Sequence, residues 1–242
     1  MSEIKKGSLV GKLSEMFRLQ DKLNENIGQN WKKNRTRKDF IRAIWAECSE
    51  LMTSLSWKWW TIPDPRNIHI EVVDVFHFIL SYIILDEGGV EKAADGKLTQ
   101  MFVNGLKIGS TKDVDVERYV SDAQFKYLKN ENDEAKRKIF LAEEIAKSFL
   151  DLNVEMGIYL FGVLVSETTT FDKFYLLYMG KNILNTIRQE KGYKTGTYTK
   201  KIGGMEDNIY LYEVISRVKT TKEIEEKLRK VFQDLEVVAM SE

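Results

Sequence analysis

The sequence predicts an all-α helical bundle, and three observations carry that prediction. Apolar residues recur at three- and four-residue spacing along almost the whole chain. Helix formers dominate, and the only prolines, Pro63 and Pro65, sit together in one short segment. Helix start and stop signals fall at the ends of the periodic runs. A length of 242 residues allows one sizeable core or two small lobes. A single domain over 1–242 is expected, with room for a separate, mobile helical lobe around 91–150.

The first helix is expected from about Leu9 to Ile27. Its apolar positions are Leu13, Met16, Phe17, Leu19, Leu23 and Ile27, and Gly28 ends it. The second runs from about Arg37 to Trp57 behind Thr36 as N-cap, with Phe40, Ile41, Ile44, Cys48, Leu51, Met52 and Leu55 as its stripe. Asp64-Pro65 announces the third, an N-cap followed by proline at the first helical position, and Gly88-Gly89 stops it after Leu85. Helices near 91–105, 115–128 and 133–150 fit the pattern less sharply, the middle one carrying a Ser121…Gln124 capping signature. KNENDEAKRK (129–138) reads as a solvated connection where a lobe boundary could fall. Apolar residues return from Ile139 through Leu164. Thr170 caps a long helix to about Glu190, a Gly- and Lys-rich segment follows over 192–204, and helices near 207–218 and 222–235 close the chain, the last behind a Thr220…Glu223 capping box.

Composition narrows the function classes. Lysine plus arginine equals aspartate plus glutamate at 37 each, so no global basic field points to nucleic acid or a membrane surface. Cys48 is the only cysteine, which excludes an internal disulfide and favours a reducing, cytoplasmic setting. Residues 1–17 alternate charged and apolar side chains and do not form a secretory signal. Ile68–Leu85 has about the length of a membrane span, but Glu71 and Asp74 lie inside it. Acids at membrane depth cost roughly 2.5–3.5 kcal/mol each. A buried core helix carrying functional acids is the better reading.

Those acids belong to a larger pattern. Glu47 and Glu50 are three apart on the second helix, and Glu71 and Asp74 are three apart on the third, so each pair shares a helical face. Packed antiparallel through the short segment 58–65, the two helices would bring four carboxylates together. Such a cluster repels itself unless a cation neutralises it, and all-oxygen ligation suits Mg²⁺, especially where phosphates complete its shell. ExxE and ExxD spacings are also common on solvated faces. The third helix, however, is apolar on nearly every side, and burying Glu71 and Asp74 there without a cation would cost several kcal/mol.

The segments ECSEL (47–51), SWKWW (56–60), IEVVDVFHFILS (70–81) and YMGKNILNTIRQEKGYKTGTY (178–198) resemble the dimeric all-α dUTPases, within the superfamily of MazG-like nucleoside triphosphate pyrophosphohydrolases. The resemblance runs in order from LQDKLN (19–24) to GMEDN (204–208), and the run from Lys181 to Lys194 is its most specific part. It implies hydrolysis of dUTP, and of dUDP, to dUMP with release of pyrophosphate or phosphate. It implies Mg²⁺, with Mn²⁺ as a substitute, held by Glu47, Glu50, Glu71 and Asp74, with Glu47 also acting as base or orienter for the attacking water. A homodimer is implied as well, located in the cytoplasm or a phage host's cytoplasm, with no nucleic-acid or membrane partner.

The remaining binding residues follow from this frame. Lys181 and Arg188, seven apart, share a face of the long helix with Asn185 between them. Lys191, Lys194, Lys200 and Lys201 lie among glycines and could close over a polyphosphate. No GxxxxGK[ST] is present, so a P-loop is unsupported. Gln20 and Asn24, four apart on the first helix, match the family's base-reading positions, and amides supply the donor and acceptor that uracil needs. Asn185 is a third candidate, and a rotated amide could serve cytosine instead. Trp57 is placed beside base or sugar, or else as a core aromatic at a helix end. Tyr193 and Tyr198 could cover sugar and phosphates. His77 is read as a satisfied core histidine, Cys48 as packing, and Asp207 as an N-cap, although the match of Glu206-Asp207-Asn208 leaves a site role open. Two rival functions remain: a related all-α pyrophosphohydrolase acting on dCTP, or on both dCTP and dUTP, and a non-enzymatic helical binding module.

Overall fold

The computed structural model describes residues 8–62, 64–111 and 134–241. Helix α1 (Leu9–Ile27) begins where Gly11 N donates to Ser8 Oγ at 3.1 Å and ends at Gly28. Leu13, Met16, Phe17 and Leu23 are buried along it, with Gln20 as the polar member of that stripe, while Ile27 lies exposed. A single turn, α2 (Trp31–Asn34), precedes α3 (Arg37–Ser54), which starts where Asp39 Oδ2 accepts from Thr36 N at 2.8 Å. α3 stops three residues short of Trp57 because Ser56 takes a left-handed φ of 67°.

α4 (Arg66–Glu87) starts where Arg66 N donates to Asp64 Oδ1 at 2.9 Å and stops at Gly88, whose φ of 76° suits glycine. The helix expected near 91–105 is two helices, α5 (Val90–Asp95) and α6 (Lys97–Thr111). They break at Gly96, where a Cβ would collide with the Lys92 carbonyl and the Glu87 carboxylate. The expected helix at 115–128, with Ser121 and Gln124, lies outside the described residues. α7 (Glu134–Leu150) contains the second half of the run expected to be a solvated connection. Its charges are not all solvated, since Arg137 makes a forked ion pair with Glu167 of α8 (Val154–Thr168).

α9 (Phe171–Glu190) is capped by Thr170 as expected. The Gly- and Lys-rich segment holds a 3₁₀ turn (Tyr193–Thr195) and a two-stranded hairpin, β1 (Lys201–Ile202) with β2 (Met205–Glu206). Gly203 and Gly204, with φ of 55° and 84°, supply the paired left-handed residues that a two-residue hairpin turn requires. α10 (Asp207–Ile215) and α11 (Thr221–Ser241) follow, the latter behind the expected Thr220/Glu223 box.

α4 is the hub. It packs on α1, α3, α9 and α10, while α7 braces α3 and α8, and α6 lies along α8. Phe76 of α4 gathers Phe102, Phe161 and Phe174 from α6, α8 and α9 into one aromatic cluster. Gly105 and Gly162 meet where α6 crosses α8, so close that a Cβ on either would strike the opposing backbone. α4 is long and apolar enough to cross a membrane, but it lies mostly buried inside the protein.

Candidate active site

α4 carries a stripe of polar residues on one face, Glu71, Asp74, His77 and Ser81, with Asp74 half-buried and the other three buried. The first two face α3, where they meet Glu47 as the spacing predicts. One oxygen from each of Glu47, Glu71 and Asp74 lies within 4.8 Å of the others, an arrangement able to hold a metal ion. Glu50 is exposed on the next turn of α3 and stays outside this group of three, although its charge acts on both Glu47 and Glu71.

The electrostatics of the cluster follow from burial. Glu71 is 8% exposed, and desolvation, with Asp74 as the next cause, pushes its carboxyl up to about 8. Glu47 rises to about 7, again through burial first and then through Asp74 and Glu50. Lys181 offsets part of this repulsion, donating to Asp74 Oδ2 at 2.7 Å and to Asn208 Oδ1 at 2.8 Å while itself 2% exposed. Lys200, at the foot of the hairpin, also acts on Glu47. The donor set suits a hard divalent cation: three clustered carboxylates, with Glu71 and Glu47 raised by burial and mutual repulsion, an effect that a cation would reverse.

Arg188 lies one face down α9 from Lys181 and closes a second knot. Its Nε donates to Asp207 Oδ2 at 2.9 Å and its Nη2 to Asp207 Oδ1 at 2.7 Å. Nη2 also reaches Asn208 Oδ1 at 3.0 Å, and Nη1 reaches Asn185 Oδ1 at 3.2 Å. Tyr198 OH donates to Asp207 Oδ2 at 2.8 Å. Asp207 is fully buried; burial works against its ionisation, yet Arg188 and Tyr198 outweigh that and hold its carboxyl below the usual range. Asp207 therefore is the first residue of α10 and an ion-pair partner, while Glu206 occupies the N-cap position. Asn208, in the segment Glu206-Asp207-Asn208 whose match leaves a site role open, joins Lys181 to Arg188.

The amides expected at the base sit between α1, α4 and α9. Gln20 Nε2 donates to Asn24 Oδ1 at 2.9 Å and to Ser81 Oγ at 3.1 Å. Gln20 Oε1 is 2.5 Å from His77 Nδ1 and accepts from Tyr178 OH at 3.1 Å. His77 is thus satisfied at one nitrogen only, with Nε2 buried and unpartnered, and burial lowers its pKa to about 4, so the ring is neutral.

The other expected contacts scatter more widely. Trp57 is 48% exposed and stacks edge-to-face on Trp60, so it is not a core aromatic. Tyr193 and Lys194 are exposed on the 3₁₀ turn, where Lys194 Nζ donates to Ile27 O at 3.3 Å, and Lys201 is exposed on β1. Cys48 is buried, its thiol pushed up to about 12 by burial, as packing requires. His69, in the first turn of α4, stacks on Tyr212.

A model of the dUTPase family matches residues 12–193, about three quarters of the sequence. No individual curated protein matches. The match begins in α1, spans every acid of the cluster, and ends just beyond Arg188. An all-α fold, a buried trio of carboxylates and a lysine-bearing helix beside them agree with it, and the chain belongs to the dUTPase family, enzymes that hydrolyse dUTP.

Proposed function

We propose that this dUTPase requires Mg²⁺, for which Mn²⁺ substitutes, accepts dUDP as well as dUTP, and forms dUMP with release of phosphate or pyrophosphate. The observation that carries this reading is the convergence of Glu47, Glu71 and Asp74, each buried or half-buried, within 4.8 Å. Glu50, one turn along α3, completes the ligand set. When bound, Mg²⁺ supplies charge neutralisation for the phosphate oxygens and acidifies a coordinated water.

The chain's own residues do the rest. Glu47, set within 4.8 Å of Glu71 and Asp74, is the base that takes the proton from the attacking water. Lys181 commits two of its three N–H groups to Asp74 and Asn208 and offers the third to a phosphate oxygen. Arg188 spends four of its five N–H groups on Asp207, Asn208 and Asn185 and so orients more than it binds. Lys194, Lys200, Lys201, Tyr193 and Tyr198 come from the turn and hairpin that flank this corner, and Asn24 and Trp57 meet the base and sugar, with Gln20 buried behind Asn24.

A homodimer in the cytoplasm completes the proposal. Trp57, Trp59, Trp60 and Ile62 in the α3–α4 connection, together with Trp45 on α3, leave large apolar side chains exposed, which a second copy would cover. The test is a phosphate- and pyrophosphate-release panel over dUTP, dUDP, dCTP and the ribonucleotides, with and without Mg²⁺. Turnover of dUTP and dUDP that disappears with EDTA is expected; equal turnover of dCTP, or full activity in EDTA, would defeat the proposal.

A further inference from the structure

Proton counting in the amide cluster leads beyond the assignment of Gln20 and Asn24 to the base. Ser81 Oγ donates to the His77 carbonyl oxygen at 2.8 Å, and a carbonyl can only accept. The hydroxyl has one proton and has spent it there. Gln20 and Asn24, whose amides lie 3.1 and 2.9 Å from the same oxygen, must therefore both turn their NH₂ groups toward it. This fixes two amide orientations by stoichiometry, where distance alone could not tell oxygen from nitrogen.

The consequence propagates. With its NH₂ on Ser81 and Asn24, Gln20 points its carbonyl oxygen at His77 Nδ1, 2.5 Å away. That nitrogen must carry the imidazole proton, leaving Nε2 as the bare, unpartnered one. Tyr178 OH lies 3.1 Å from the same carbonyl but shares its one proton with the Met16 carbonyl oxygen, 3.0 Å away, so His77 Nδ1 is the donor that engages Gln20 Oε1. Gln20 is now saturated: both N–H groups and its carbonyl are engaged, and it is 3% exposed. Asn24 is half-buried and retains one N–H and one lone pair, its carbonyl on the Gln20 side and its NH₂ on the Ser81 side.

We infer that Ser81 and His77 are positioning residues for base selection, locking the Asn24 amide in a single orientation through Gln20. Uracil presents N–H at N3 beside a carbonyl; cytosine presents a lone pair at N3 beside an amino group. The two edges need opposite donor–acceptor orders, so an amide that cannot rotate serves one of them and rejects the other. This rests on the reading that Asn24 meets the base.

The experiment has two arms that fail independently. Nitrogen-15 NMR of the full chain reads the His77 tautomer, which is assigned readily because His69 is the only other histidine and His69→Gln removes its signals. The Nδ1–H tautomer is expected in the wild type, with a mixture in Ser81→Ala; an Nε2–H tautomer in the wild type overturns the lock. The second arm is the ratio of kcat/KM for dUTP over dCTP. It should fall at least about tenfold in Ser81→Ala and His77→Leu, and be restored in part by His77→Asn, whose amide keeps a donor where Nδ1 stood. An unchanged ratio in folded Ser81→Ala sinks the inference while leaving dUTP hydrolysis intact. A wild type that hydrolyses neither nucleotide sinks the functional reading instead, and the tautomer still decides the lock.

Discussion

Replacing Glu71 by glutamine is the sharpest test of the buried acid cluster, because the substitution preserves shape and removes only the charge. In the folded chain Glu71 keeps its proton up to about pH 8, whereas the unfolded chain releases it near 4.5. Between those values the folded state binds more protons than the unfolded one, so stability falls as pH rises through the window and levels off above it. Each pH unit corresponds to about 1.4 kcal/mol, which makes the full cost of ionising Glu71 on the order of 5 kcal/mol in the absence of a cation. Water entry and relaxation reduce that figure. Glu71→Gln is therefore expected to stabilise the metal-free protein by about 1–3 kcal/mol more at pH 8 than at pH 5.5. The assay is urea unfolding in EDTA at both pH values. With millimolar Mg²⁺ the ranking should invert, the wild type gaining stability from the cation and the variant gaining little. A Glu71→Gln difference that is the same at both pH values, or a variant less stable than wild type at pH 8 in EDTA, would refute the reasoning.

Other perturbations probe the surrounding structure. Asp207→Ala leaves the buried Arg188 guanidinium without its forked partner and should cost about 3–5 kcal/mol in chemical denaturation; a loss below 1 kcal/mol would mean that solvent reaches the pair. Lys181→Met removes the cation that already neutralises Asp74, so the thermal shift on adding Mg²⁺ should grow while dUTP turnover falls at least about tenfold. Gly105→Ala forces a methyl against the backbone of α8 and should destabilise by about 1–3 kcal/mol, measured as a drop in Tm without change in the base-selectivity ratio. Cys48 should resist alkylation in the folded protein and react once it is unfolded, given its burial and a thiol pushed up to about 12.

The helices were legible because their causes are local. Ser8, Thr36, Asp64, Thr170 and Thr220 cap or initiate helices within three or four residues of themselves, and Gly28 and Gly88 end them. The meeting of Glu47 with Glu71 and Asp74 was also legible, since two i,i+3 pairs on helices joined by a short connection have few ways to face one another. Errors arose where a local signal was ambiguous. Helix periodicity carries through Gly96 and past Ser54, but the chain breaks at the one and turns left-handed after the other. The charges of 134–138 look solvated until Arg137 finds Glu167.

By itself, then, the sequence determined the all-α class, most helix boundaries, the family and three of the acids, all properties set by spacing along one chain. Only the tertiary structure decided what distant side chains do to one another. It separated Glu50 from the inner trio by its exposure. It raised Glu71 and Glu47 by burial, a quantity no spacing encodes. It also brought Asn208 to Lys181, 27 residues away, and set Ser81, His77 and Gln20 in a single proton-ordered chain, because hydrogen-bond polarity there depends on partners on α1 and α4 more than fifty residues apart in sequence.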